Sequence, residues 1–221
     1  PRGIGQGAQG RLLPFRRCSG LRAARRGRGR DGALLLAHEG AIGDATALSE
    51  GSGVQAVIAV AAIIGFGTKA GLMPMHVWLP RAHPIAPASI SALMSGVMVA
   101  EAAYGLIRVL VDWLGPPPSW VGAAMLVLGG LSALGGITYA LFQHDLKRLL
   151  AYSTVEHLGV VALALGACLL LRRHGADQWA SFALGAALLH TLNHATFKAL
   201  LVLGAGAFER ATGALELDRL G

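Results

Sequence analysis

From Val54 to Met73 the chain reads VQAVIAVAAIIGFGTKAGLM, an apolar run that carries a single charge, Lys69. About 20 such residues in a helix cross the hydrocarbon core of a bilayer. A cation inside that core costs on the order of 2.5–3.5 kcal/mol at the helix centre, so Lys69 constrains whatever folds around it. Its side chain either snorkels to the nearer interface or faces a cavity or counter-charge inside a helix bundle. Pro74, Pro80 and Pro84 follow, with His76 and Trp78 among them. Pro74 offers no backbone N–H and should break the helix just past the lysine. The piece up to Pro87 is then a re-entrant or interfacial segment, with His76 and Trp78 at headgroup level. A broken helix is tolerated at membrane depth where it is covered by protein or lines a cavity, which favours a working role for Lys69.

Four more apolar stretches follow: Ala88–Val111, Trp120–Phe142, Ala151–Leu171 and Trp179–Phe208. With 54% hydrophobic and 14% charged residues in 221, the pattern specifies an all-α protein rather than a soluble domain. Its architecture is a polytopic transmembrane helix bundle of about five to six spans with one broken helix. Gly65, Gly67 and Gly71 around Lys69, and Gly129, Gly130, Gly135 and Gly136 in the third stretch, predict close helix approach. The basic turn His144–Arg148 and the cluster Arg172–His174 mark two interfaces. Cys18 and Cys168 have no disulfide or metal-site spacing, and Cys168 reads as a small apolar filler.

The net charge of +7 does not indicate a nucleic-acid surface, because nine arginines fall between Arg2 and Arg30 and the remainder is near neutral. Residues 1–32 form a basic Gly/Arg-rich leader, read as disordered or as not native to the fold; residues 33–221 form the membrane domain. A basic tail that touches anionic lipid is the other reading of the leader. It lacks the apolar region and cleavage site of a signal peptide.

Ionisable and polar residues inside the apolar stretches are the candidate functional groups. In the last stretch His190, His194 and Lys198 stand at i, i+4 and i+8, an arc of about 80° over roughly 12 Å of rise, with Asn193 extending the stripe. Three readings fit. Histidines at i, i+4 can ligate a metal, but there is no H-E-x-x-H glutamate and the lysine one turn on opposes a cation, so no metal is assigned. They can also bond neighbouring helices. The reading adopted is a proton path, since histidine titrates near neutral pH and a desolvated lysine gives up its proton more readily. Glu101, Tyr104 and Arg108 share a helix face, so Glu101 is either a proton carrier or the partner of Arg108 or of a lysine on another helix. Glu156 and His157 are secondary candidates, with solvation near an interface as the plain alternative.

Three stretches then resemble the antiporter-like proton-conducting subunits of respiratory complex I, membrane-bound hydrogenases and multisubunit cation/proton antiporters. They are GFGTKAGLMPMHVWLPRAHPIAPASISALMSGVM (65–98), HDLKRLLAYSTVEHLG (144–159) and LLHTLNHATFKALLVLGAGAF (188–208). The combination looks most like the large membrane subunit of hydrogenase-4 and formate hydrogenlyase, of which this chain would be a fragment. The resemblance implies inverted helix repeats, each with a half-channel. Val54–Met73 would be the broken seventh helix with Lys69 its central lysine and Pro74 the break. Ala88–Val111 would be the eighth helix, and Trp179–Phe208 the eleventh, with proton-transfer residues at His190, His194 and Lys198. The lysine common in the eighth helix falls on Ala100, with Glu101 beside it. The acid that faces the central lysine would lie on a fifth helix, so it is expected to be missing from this chain, as is a second broken helix beyond Gly221.

The implied function is proton translocation in a multi-pass protein of a prokaryotic inner membrane. Other membrane subunits, soluble nickel–iron hydrogenase or iron–sulfur subunits and the lipid bilayer would be its partners; nucleic acid would not. With no cysteine cluster and no Gly-rich nucleotide loop, no cofactor is expected in this chain, and any oxidoreductase activity would belong to the complex. The alternatives are a sodium/proton antiporter subunit, a non-conducting membrane anchor and an inactive gene remnant.

Overall fold

Where the helix of Lys69 ends, the backbone hydrogen-bonding groups released by the break find new partners. A computed structural model of the chain, which describes residues 52–114, 117–213 and 215–216, traces them. The leader and the short apolar piece after it lie outside the described residues. The first helix, α1 (Ser52–Ala70), stops at Gly71, whose φ of +80° is a left-handed conformation that glycine adopts without a Cβ clash. Leu72 N–H donates to the Gly67 carbonyl (2.9 Å) and Met75 N–H to that of Leu72 (2.8 Å). Met73 N–H donates to Ser132 Oγ of a neighbouring helix (2.8 Å), and Trp78 Nε1 donates back to the Thr68 carbonyl (2.7 Å). Met73–Pro74 is a cis peptide bond. The segment after it is not an irregular loop: a 3₁₀ turn at Met75–Val77 leads into a short helix, α2 (Trp78–Ile85).

The remaining elements are α3 (Ala88–Trp113), α4 (Ser119–Leu141), α5 (Leu146–Arg173) and α6 (Asp177–Thr212). With α1 and α2 taken as one interrupted span, five helices among the described residues are long and apolar enough to cross a membrane. No strand forms among those residues; an isolated bridge joins Asp145 and Glu216. Within α3 the helix widens into π turns at Met94–Met98 and Arg108–Trp113, insertions that concentrate at functional sites. The basic turn before α5 is shorter than the sequence suggested. Asp145 caps the helix by accepting from Arg148 N–H (2.9 Å), so Lys147 and Arg148 stand in its first turn. At the other end of α5, Arg172 and Arg173 donate to the carbonyls of Val111 (3.0 Å) and Pro117 (3.3 Å), tying that end to the close of α3.

Lipid is as apolar as leucine, so helices in a membrane associate through close packing rather than through apolar burial. Gly122, Gly129 and Gly136 recur every seven residues on α4 and meet Gly159 and Gly166, seven apart on α5. A Cβ on Gly129 would lie 2.8 Å from the Gly159 carbonyl, and one on Gly136 only 2.5 Å from Glu156 N. Gly130 and Gly65 do not share this role, since a Cβ there would meet a side chain at 4.0 Å and nothing within 4 Å, respectively. Gly135 abuts Met73 of the break instead of a helix. A core of Ile63, Val99, Leu106, Leu110, Val155 and Leu165 joins α1, α3 and α5. Ala92, Leu150, Val202 and Ala205 join α3, α5 and α6.

Candidate functional site

Gly105 on α3 admits the ring of Phe66 from α1, where any Cβ would come within 2.5 Å of it. That contact sets the register of the two helices. Lys69 stands one turn after Phe66 and Glu101 one turn before Gly105, so the two charges meet, with Lys69 Nζ 3.1 Å from Glu101 Oε2. The expectation that no acid in this chain faces Lys69 is therefore corrected: Glu101 does. Arg108, the other partner considered for Glu101, instead pairs with Asp112 one turn along its own helix, at 2.8 Å. The Lys69–Glu101 pair is open to its surroundings on one side, and Glu101 is exposed.

The stripe on α6 turns inward against α5. His194 and Lys198 are each 1% exposed and His190 is half-buried. Lys198 Nζ donates to the Leu150 carbonyl at 3.3 Å and to Ser153 Oγ, and Glu156 lies close enough to interact with it electrostatically. His157, from α5, fits between the two α6 histidines, its ring centroid 5.3 Å from that of His190 and 5.5 Å from that of His194. It packs into the stripe, and Phe197 of α6 also meets its ring at 5.1 Å. The Nε2 atoms of His190 and His194 are buried with no hydrogen-bond partner. No hydrogen bond joins the three rings directly; they touch through their faces and edges. Asn193 does not extend the stripe: a step of three residues takes it off the buried face, and it is exposed. Among the described residues no group of three or more His, Cys, Asp or Glu side chains is placed to hold a metal ion.

Two buried groups escaped the sequence reading. His83 of α2 is 1% exposed and shares a hydrogen bond between Nδ1 and Ser91 Oγ of α3, while its Nε2 has no partner. Lys147, 3% exposed, pairs with Glu209 Oε2 of α6 at 2.8 Å and donates to the Ala86 carbonyl at 3.4 Å. The signal for Lys147 lay in its spacing with Ala151 and Thr154, which puts it on the buried face of α5 once the helix starts at Leu146. His83 had no such signal, because it follows the proline break in an eight-residue helix too short to show a period.

A multi-pass helical membrane protein, with a lysine–glutamate pair beside a broken helix and a line of histidines leading to a buried lysine between two others, is the class defined by this geometry. The chain belongs to the family of transmembrane subunits described as NADH:quinone oxidoreductase/Mrp antiporter, whose sequence profile matches residues 35–220. It is 52% identical over 169 residues to an uncharacterised protein of Mycobacterium tuberculosis, covering 76% of this chain and 26% of that one. It is 46% identical over 177 residues to hydrogenase-4 component B of Escherichia coli, covering 79% and 26%. Among solved structures it is similar to a chain of the Mrp complex from Dietzia sp. DQ12-45-1b, at 25% identity and a TM-score of 0.61, covering 73% of this chain and 28% of that one. The chain thus spans about a quarter of the length of the curated relatives it matches.

Proposed function

We propose that this chain is part of a proton-translocating membrane subunit of a membrane-bound hydrogenase or complex I-like assembly. Buried Lys198 carries this reading. A cation 1% exposed on a membrane-length helix, bonded to a carbonyl and a hydroxyl and flanked by three histidines, is costly as structure and useful as a proton carrier. Among the described residues no acid forms an ion pair with Lys198, and Glu156 reaches it only electrostatically. In this mechanism Lys69 changes protonation as Glu101 moves toward or away from it, and the stripe Lys198–His194–His157–His190 carries the proton along α6. Glu156 tunes Lys198 electrostatically. The 46% identity to a hydrogenase-4 component supports the hydrogenase side of the reading. Electron transfer then belongs to soluble partner subunits that hold the redox centres, with other membrane subunits beside this one in a prokaryotic inner membrane.

A sodium/proton antiporter subunit is the second reading, favoured by the likeness to a chain of an Mrp complex. One experiment on the full-length parent in membrane vesicles separates them. Lys69→Ala and Lys198→Ala should each abolish proton translocation while electron transfer by the complex persists. Unchanged translocation in both variants would falsify the proposal, and activity that requires sodium would move it to the antiporter reading.

A further inference from the structure

Lys198 and Glu209 lie on one face of α6, since eleven residues make just over three full turns, and they are separated by about 16 Å along the helix axis. Between them that face presents Val202, Ala205 and Gly206, all buried and none able to carry a proton. The stripe therefore stops short of the Lys147–Glu209 pair, unless another element crosses the gap. One does. Gly206 allows Ala88 of α3 to press directly against α6, and this brings Ser91, one turn further along α3, toward the gap with His83 bonded to it. His83 is within electrostatic reach of both Lys198 and Lys147, and Lys147 also donates to the Ala86 carbonyl just after the α2 helix that carries His83. Its unpartnered Nε2, on a side chain 1% exposed, is the kind of atom a buried polar group leaves open when it exchanges protons with a neighbour or a transient water.

On the outer side of this group a cleft of about 400 Å³ is walled in part by Pro84, Asp145, Arg148 and Glu216. Pro84 follows His83 in the chain, and Asp145 and Arg148 flank Lys147. The polar cleft and the buried groups are thus two sides of the same stretches of backbone. Glu209 does not line the cleft, but its side chain is 40% exposed while its Lys147 partner is 3% exposed, so of the pair it is the one that meets water.

Building on the proton-translocation reading, we propose that this cleft is the aqueous mouth of the path, and that Glu209, Lys147 and His83 form the link from it to Lys198. One proton moves per event. The Glu209 carboxylate takes it from water in the cleft and loses its charge, which loosens Lys147. The proton passes to His83 Nε2 and then to a neutral Lys198 amine, leaving His83 neutral and Glu209 ionised again. No electron moves and no bond other than those to the proton changes.

Chemical rescue tests this in the full-length parent, assembled in its complex and sealed in vesicles. His83→Ala should lower proton translocation roughly tenfold or more and leave electron transfer running. Free imidazole should restore much of the loss in His83→Ala and none in Lys198→Ala, and an Arg148→Cys variant should react with a membrane-impermeant thiol reagent, as a water-filled mouth requires. His83→Gln, which keeps a hydrogen-bonding group for Ser91, should remain defective, because an amide accepts no proton near neutral pH. Full activity in His83→Gln, or His83→Ala protein that assembles normally yet gains nothing from imidazole, would overturn the link. Lys198→Ala in parallel separates the two ideas. If it abolishes translocation and His83→Ala does not, the mouth is wrong and the proton path stands; if Lys198→Ala is silent, the proton path itself fails.

Discussion

Lys69 and Glu101 show how the chemistry of one residue depends on a contact that neither residue makes. Gly105 and Phe66 hold α1 and α3 in register, and the ion pair follows one turn away. A lysine without its carboxylate at membrane depth bears the full cost of an isolated charge. Replacing Glu101 with Gln should therefore reduce proton translocation by the parent roughly tenfold or more, while Glu101→Asp retains a large part of it; proton uptake into vesicles reads both. Equal activity of the Gln variant and the wild type would reduce Glu101 to a structural residue. The individual charges were legible in sequence because charges in apolar runs are rare. Their partners were not, since pairing across helices depends on tertiary register: Arg108 was as reasonable a partner on spacing alone, yet it closes on Asp112 within α3. His190, His194 and Lys198 were easier, because an i, i+4, i+8 stripe stays on one face whatever it packs against. Asn193, expected to extend the stripe, lies about 60° outside its arc and is exposed.

At the scale of elements, the α4–α5 seam positions half of the α6 site. Gly136 lies against the backbone of Glu156, and the next residue, His157, reaches between His190 and His194. Backbone cannot give way as a flexible side chain can. Gly136→Val should destabilise the folded protein by about 1–3 kcal/mol or more, the range for overpacking a tight interface, and should also displace His157 and slow proton translocation. Gly130→Ala, one position round from the Gly129 contact and with its nearest neighbour at 4.0 Å, is the control that should change neither. Thermal denaturation in detergent and proton uptake in vesicles check the pair, and equal stability of the two variants would contradict the seam. The sequence indicated that α4 was a packing helix, but four glycines looked equivalent there. The seven-residue recurrence of Gly122, Gly129 and Gly136 against Gly159 and Gly166 sorts them. Helix existence was plain from hydropathy. The ends were less so, because Asp145 starts α5 five residues before its apolar run and Glu209, past the end of α6's run, still lies within the helix.

For the molecule as a whole, the half-exposed ion pair raises the question of what covers it. Lys69 and Glu101 retain 42% and 69% of their side-chain exposure, and on α3 the same face carries Val97 and Tyr104, 60% and 52% exposed. Lipid is a poor neighbour for that face, because two charges set against hydrocarbon forfeit solvation that a single ion pair does not replace. Aromatic and aliphatic side chains around a charge pair suit a protein neighbour better. The chain spans about a quarter of the length of its curated relatives, and a parent of their length would carry further sequence for the purpose. We therefore expect helices of the parent outside this stretch to pack over Val97, Glu101 and Tyr104. A Tyr104→Cys substitution in the assembled parent should react slowly with a membrane-permeant maleimide, whereas the same substitution in residues 52–216 expressed alone should react fast. Oxidative cross-linking from Tyr104→Cys in the parent should trap a cysteine introduced on one of those outside helices. Equal labelling rates in the two contexts, with no cross-link from any outside helix, would mean that the pair faces lipid or water directly, and Glu101 would then have to hold Lys69 in place without the help of a covering wall.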